Sequence, residues 1–225
     1  MFLISIDGAC RRNGKPDCVS AGGVYIEKWV DHEMLSAETL SEYELQSTNQ
    51  RGELIALLKA LEYISNTSND YALIITDSEY IYNTMTKEWF VGWESRGWLT
   101  STMEPVKNSD LWKKIKDTYD KCRGACVDVI FYHIKGHCIP FGKVTANKLL
   151  SSDNTCATLK REVEAKYDTV CNTTKADKLE AANELSIKNN GFAFEFERLK
   201  QFVVINTLAD AIATRCVDAA DSLMD

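Results

Sequence analysis

The chain has 225 residues, 45% hydrophobic and 26% charged, ordinary for a folded globular protein and enough for one large domain or a domain with a sizeable insertion. Its formal net charge of −7 weighs against partners held by bulk positive charge, nucleic acid among them. No apolar run approaches the roughly 20 residues that a membrane helix needs.

The opening Met-Phe-Leu-Ile-Ser-Ile-Asp lacks the basic start of a signal peptide, so a cytoplasmic location is expected. Phe2–Ile6 reads instead as a first strand ending at Asp7. Ala21–Glu27 and Met34–Leu40 read as two more strands of an antiparallel meander. Thr48 or Asn49 is placed to cap a helix over Arg51–Ser65, whose Leu54, Leu57, Leu58 and Leu61 recur at helical spacing. Ala72–Thr76 is a short apolar strand ending at Asp77, with a helix from Ser78. A strand, a helix and a strand of this length imply a parallel crossover.

An aromatic stretch, Trp89 to Trp98, follows. Ser109 is expected to cap a helix over Asp110–Lys121, and Val127–His133 is the last strand. The fold class is therefore α/β (α+β mixed sheet), five strands flanked by helices. From about Ile139 the chain becomes charged and helix-favouring. Phe196, Leu199, Phe202 and Val203 begin an amphipathic stripe that runs on into Leu208, Ile212 and Cys216. The expected organisation is a domain over 1–138 and 206–225, with a helical hairpin inserted at 139–205 whose second arm continues into the last helix.

The eight cysteines read as reduced thiols. His133, His137 and Cys138 lie close together in sequence, but a fourth zinc ligand at suitable spacing is missing.

Asp7 and Asp77 each follow an apolar strand, where ligands gather in α/β sheets. Glu53 lies in the first turn of the intervening helix, and Asp210 is expected early in the last one. Four converging acids need cations to stay ionised, and oxygen-only donors suit Mg²⁺ or Mn²⁺. On spacing alone the other reading, caps and solvated surface, stays open.

Four blocks add to this: Asp7-Gly-Ala-Cys-Arg-Arg-Asn-Gly, Ser47-Thr-Asn-Gln-Arg-Gly-Glu-Leu, Ile75-Thr-Asp-Ser-Glu-Tyr and Ile134-Lys-Gly-His. In this order, with Trp93 to Thr100, Pro105 to Trp112 and Asn206 to Ala213, the chain resembles the type 1 ribonucleases H. The resemblance implies a ribonuclease H-like fold and an endonuclease that cuts the RNA strand of RNA–DNA hybrids. It implies two Mg²⁺ ions, replaceable by Mn²⁺, held by Asp7, Glu53, Asp77 and Asp210, and products with 5′-phosphate and 3′-hydroxyl ends. His137 would assist proton transfer or product release. Cys10, Asn13, Asn49 and Gln50 match positions that contact the hybrid, and Thr48 and Asn108 match positions that hold a phosphate of the DNA strand. Trp93 and Trp98 would stack on that strand, or pack as the core of the handle. A monomer acting in primer or hybrid removal during DNA replication is the implied setting. A junction resolvase of the same superfold and a non-catalytic hybrid-binding module remain the alternatives.

The chain departs from the family pattern in three places. Glu94, Ser95 and Glu104 stand in a handle that is often basic, leaving Arg96 and Lys107 as nearby cations. Gln46 stands where relatives can carry arginine, and both changes predict weak, salt-sensitive affinity. His137 and Asp210 are joined by a long segment where the family usually has a short loop. That segment is expected to bring Lys143, Lys148, Lys160 and Arg161 to a bound hybrid as a clamp, or to dock a replication protein.

Overall fold

The structure is a computed structural model that describes residues 1–67, 71–137, 160–161, 163–165, 184, 188, 190 and 196–223, without the side chains of residues 196 and 197. Five strands form one sheet in the order β3-β2-β1-β4-β5: β1 (Phe2–Arg11), β2 (Val19–Val30), β3 (Glu33–Leu45), β4 (Tyr71–Thr76) and β5 (Asp128–His133). β1 to β3 pair antiparallel, whereas β4 pairs parallel with β1 and with β5. Among the described residues, four helices precede β5: α1 (Asn49–Ser65), α2 (Glu79–Thr86), α3 (Trp89–Ser95) and α4 (Ser109–Gly124).

The alternation of β1 divides the core. Phe2, Ile4 and Ile6 point to one face, where they meet Leu54, Leu57 and Leu61 of α1 and Trp112 and Ile115 of α4. Leu3 points to the other, against Leu199, Phe202, Val203 and Leu208 of α5 (Phe196–Asp221). Both faces are covered, as the apolar runs of the central strands require.

β1 does not stop at Asp7, as the apolar run suggested. Its parallel pairing with β4 ends at Ile6–Thr76, but its antiparallel pairing with β2 continues through Asp7–Gly23 to Arg11–Val19. Asp7 is therefore the first residue beyond the point where β4 leaves the ladder. Asp210 is likewise not early in its helix, because α5 begins at Phe196 and runs unbroken past it. The boundary expected at 205/206 falls inside α5, and Phe202, Val203, Val204 and Ile205 are buried core residues.

Most of 139–195, with Lys143, Lys148 and the hairpin's course, lies outside the described residues. The described part of that segment is bound to the sheet. Val163 is buried in the same cluster as Leu3 and Phe202. The ammonium of Lys160 lies 2.7 Å from Oε1 of Glu27, a carboxylate with no exposed surface. Trp29 Nε1 and Gln201 Nε2 donate to the other oxygen at 2.9 and 2.8 Å. This corrects the clamp expectation for Lys160. Glu27 pairs with Leu3, four residues along β1 from Asp7, or about 13 Å at ~3.3 Å per residue. Lys160 serves the sheet interior, and Arg161 beside it is exposed.

Candidate active site

The acids converge from both faces of the sheet. Asp7 comes from within β1, where β4 leaves the ladder, Asp77 from the residue after β4, Glu53 from the second turn of α1, and Asp210 from the middle of α5. Asp210 can approach because Gly23 of β2 has no side chain. A Cβ there would overlap the backbone of Ala209 and Ala213, so α5 rests directly on the strand. Thr48 caps α1, its hydroxyl accepting from Arg51 N–H at 3.4 Å.

Asp7 is the most enclosed of these four, at 7% exposed. Its Oδ1 accepts the Gly8 N–H at 2.6 Å, and its Oδ2 is buried without a hydrogen-bond partner among the described residues. Burial, then the charges of Asp77 and Asp210, hold its pKa well above the usual carboxylate range, against the Gly8 N–H. Glu53 is raised by burial and by Asp77, against the Ser78 hydroxyl that donates to Oε2 at 2.6 Å. Asp77 is raised by burial and lowered in part by His137. The His137 Nδ1 lies 3.6 Å from Asp210 Oδ2, and that carboxylate raises the imidazole pKa above its ordinary value.

The orphaned Asp7 oxygen and the mutually opposed carboxylates are a donor set that a hard divalent cation fits. Among the described residues no three His, Cys, Asp or Glu side chains are already drawn into a closed metal cage. Glu53 in particular is turned to Ser78 and to Asn49, whose Nδ2 donates to Oε1 at 3.2 Å. Gathering the ligands around an ion would therefore draw Glu53 away from Ser78 and Asn49. His133 and His137 do not converge on one point. His133 Nε2 faces the Asp77 carbonyl at 3.1 Å, whereas His137 faces Asp210, and Cys138 is outside the described residues.

Beside the acids lies a cleft lined by Asn13, Thr48, Asn49, Gln50, Glu53, Lys107 and Asn108. Asn108, not Ser109, is the residue before α4. Its backbone is left-handed (φ 55°), and its side chain donates to Gln50 Oε1 at 3.2 Å instead of capping the helix. The nearby arginines are committed internally. Arg51 bridges Glu44 and Asp110, and Arg11 and Arg12 pair with Asp218 and Asp221 of α5. Cys10 is half-buried, with its Sγ 2.8 Å from that of Cys18. Trp93 is packed against Trp89, Trp98 and Trp112 and is 8% exposed, so of its two readings the structure favours handle core. Trp98 is half-buried, with the Lys113 ammonium 5.4 Å from its ring.

Two contacts had no signal in the sequence patterns: the Ser78 hydroxyl on Glu53, and the His133 ring on the Asp77 backbone. Ser78 stands immediately after Asp77, which is the one hint available.

A family model described as RNase H matches residues 2–153. Ribonuclease H of Mycolicibacterium gilvum is 35% identical over 139 residues, 61% of this chain and 81% of the relative. Ribonuclease H of Maricaulis maris is 34% identical over 148 residues, 66% of this chain and 89% of the relative. Among solved structures, LC9-RNase H1, described as a type 1 RNase H with the type 2 active-site motif, superposes with a TM-score of 0.51 at 23% identity, over 60% of this chain and 63% of that one. The fold is shared with it. The family match ends before α5, so the place of Asp210 rests on its own geometry beside Asp7 and His137.

Proposed function

The chain belongs to the ribonuclease H family, and from that premise we propose that it is an endonuclease hydrolysing the RNA strand of RNA–DNA hybrids, leaving 5′-phosphate and 3′-hydroxyl ends. The observation that carries this reading is that Glu53 belongs to two groups at once. It shares the electrostatic field of Asp7 and Asp77, and it lines the amide-rich cleft, bonded to Asn49.

Asp7, Glu53, Asp77 and Asp210 are the residues that would hold two Mg²⁺ ions, with Mn²⁺ as a substitute. When bound, the ions supply positive charge for the attacking water and the leaving 3′ oxygen of a phosphodiester. The chain's own groups do the rest. Asn13, Asn49 and Gln50 present neutral amides to a minor groove, where 2′-hydroxyls tell RNA from DNA. Thr48, Asn108 and Lys107 are suited to a phosphate of the DNA strand, which hydrogen bonding and one charge can position. Cys10, three residues beyond Asp7 on β1, borders the hybrid, and Trp98 offers the DNA strand a ring. His137, exposed and with its imidazole pKa raised by Asp210, moves a proton at the scissile phosphate or helps product leave. In this reading 1–138 and α5 form the nuclease domain around the segment between them, and replication primers are one hybrid of the right chemistry.

The test is Mg²⁺-dependent cleavage of an end-labelled RNA–DNA hybrid, with duplex DNA and branched DNA as controls. Cutting confined to the RNA of the hybrid supports the proposal. Cutting of branched DNA would make the chain a different nuclease of this fold, and binding without cutting would make it a hybrid-binding module.

A further inference from the structure

Among the described residues β5 is the last strand of the sheet, and its outward backbone groups face no other strand described there. Ile134 N–H donates to Thr76 O at 3.0 Å, toward β4. In a parallel ladder the alternate residue, His133, then points its N–H and C=O off the open edge. One side chain takes both groups. Asn190 Oδ1 accepts the His133 N–H at 2.7 Å, and Asn190 Nδ2 donates to His133 O at 2.7 Å. The amide thus supplies the pair of bonds that a residue of a sixth strand would make. His133 is 6% exposed, so water is a poor substitute.

His133 is also where the catalytic loop leaves the sheet. Its ring nitrogen faces the backbone carbonyl of Asp77 at 3.1 Å, and its ring stacks on Tyr82 with centroids 5.5 Å apart. After Ile134, fixed to Thr76, only Lys135 and Gly136 intervene before His137. Gly136 lies against the Asp77 carboxylate, and His137 lies against Asp210. Any turning of the backbone at 133 reaches His137 through a short lever, and reaches Asp77 through its carbonyl.

We infer that Asn190, supplied by the long segment between the His loop and α5, is a positioning residue that sets the His137 loop against Asp77 and Asp210 by clamping the backbone of His133. The inference rests on the hybrid-nuclease reading above. It gives that segment a role in turnover that does not require it to touch substrate.

Wild-type protein is first shown to cut hybrid in Mg²⁺; if it does not, the nuclease reading itself fails. Asn190→Ala is then expected to lower kcat about tenfold with the KM for hybrid unchanged, because the cleft residues are untouched. Amide exchange at His133 should quicken in the same variant, reporting the lost clamp directly. Asn190→Gln, which keeps the amide on a longer arm, should recover part of the rate. If Asn190→Ala does not fold, Asn190→Asp, which retains the acceptor for the His133 N–H and loses the donor, takes its place in every comparison. In a His137→Ala background the Asn190 substitution should cost no further rate. Unchanged kcat despite faster exchange at His133, or an equal loss with and without His137, would overturn the inference and leave Asn190 a stabilising contact alone.

Discussion

Gly136 packs so closely on Asp77 that a single added methyl group would overlap the carboxylate oxygen Oδ2. The loop bearing His137 is thereby laid directly on an acid of the candidate centre. Gly136→Ala must push either the loop or the carboxylate aside. Hybrid cleavage in Mg²⁺ should fall at least as far as in His137→Ala, about tenfold or more, since both His137 and Asp77 are displaced. Thermal stability should change little, because the loop is a surface element. Wild-type rates for Gly136→Ala would show that the loop swings clear of Asp77 during turnover.

Asp7→Asn should abolish cleavage and at the same time strengthen the metal-free fold at neutral pH. Burial and the neighbouring acids raise the folded pKa of Asp7 above the unfolded value of about 3.9. Between those two values the folded state binds more protons than the unfolded state, so stability falls as pH rises through that window and stays low above it. The amide has no proton to lose. Denaturant unfolding in chelator from about pH 4 to pH 8 should therefore show a shallower decline for Asp7→Asn than for wild type, with Glu53 and Asp77 keeping part of the slope. An unchanged slope, or retained cleavage in Mg²⁺, would remove Asp7 from the centre.

His137→Ala should slow turnover by about one to a few orders of magnitude without stopping it, since a positioned proton-transfer group contributes about 10²–10⁴-fold. The side chain is three-quarters exposed, at 76%, so its removal leaves folding intact. Multiple-turnover and single-turnover rates on labelled hybrid separate its two roles. A loss in both assigns it to chemistry, and a loss in multiple turnover alone assigns it to product release.

How far the sequence could be read depended on where each interaction lay along the chain. The meander, the crossover and the helix over Arg51–Ser65 were legible because apolar periodicity is a local signal. The extension of β1 beyond Asp7 was not, because Gly8 to Arg11 carry no strand signature of their own and are held by pairing with Val19–Gly22 of β2. Asp7, Glu53, Asp77 and Asp210 could be singled out together only through the ordered blocks, since each is ordinary by itself. Lys160 on Glu27 and Asn190 on His133 were out of reach. Both join residues far apart in sequence, and a charged helical stretch reads as a solvated face until its partners are seen. Trp93 shows the same limit, since stacking on nucleic acid and packing in a handle use one residue type.

Lys160 separates the two views of the long segment, structural tether and electrostatic clamp. Glu27 is fully buried and is satisfied by one cation and two neutral donors, Trp29 and Gln201. Removing the cation leaves a buried carboxylate with its hydrogen bonds but without its countercharge, and breaking a buried pair in this way costs about 3–5 kcal/mol. Lys160→Met keeps the aliphatic stem, so the loss should lie near the lower end, about 3 kcal/mol in urea unfolding. Adding Glu27→Gln should recover most of it, because the stranded charge is then gone. Hybrid binding measured in Ca²⁺ across a salt series should keep its log–log slope in Lys160→Met, since Lys160 sits on the sheet face some 13 Å along β1 from Asp7 by strand rise and touches no phosphate. A slope flatter by nearly one unit, with stability unchanged, would instead put this lysine on the hybrid and dissolve the tether.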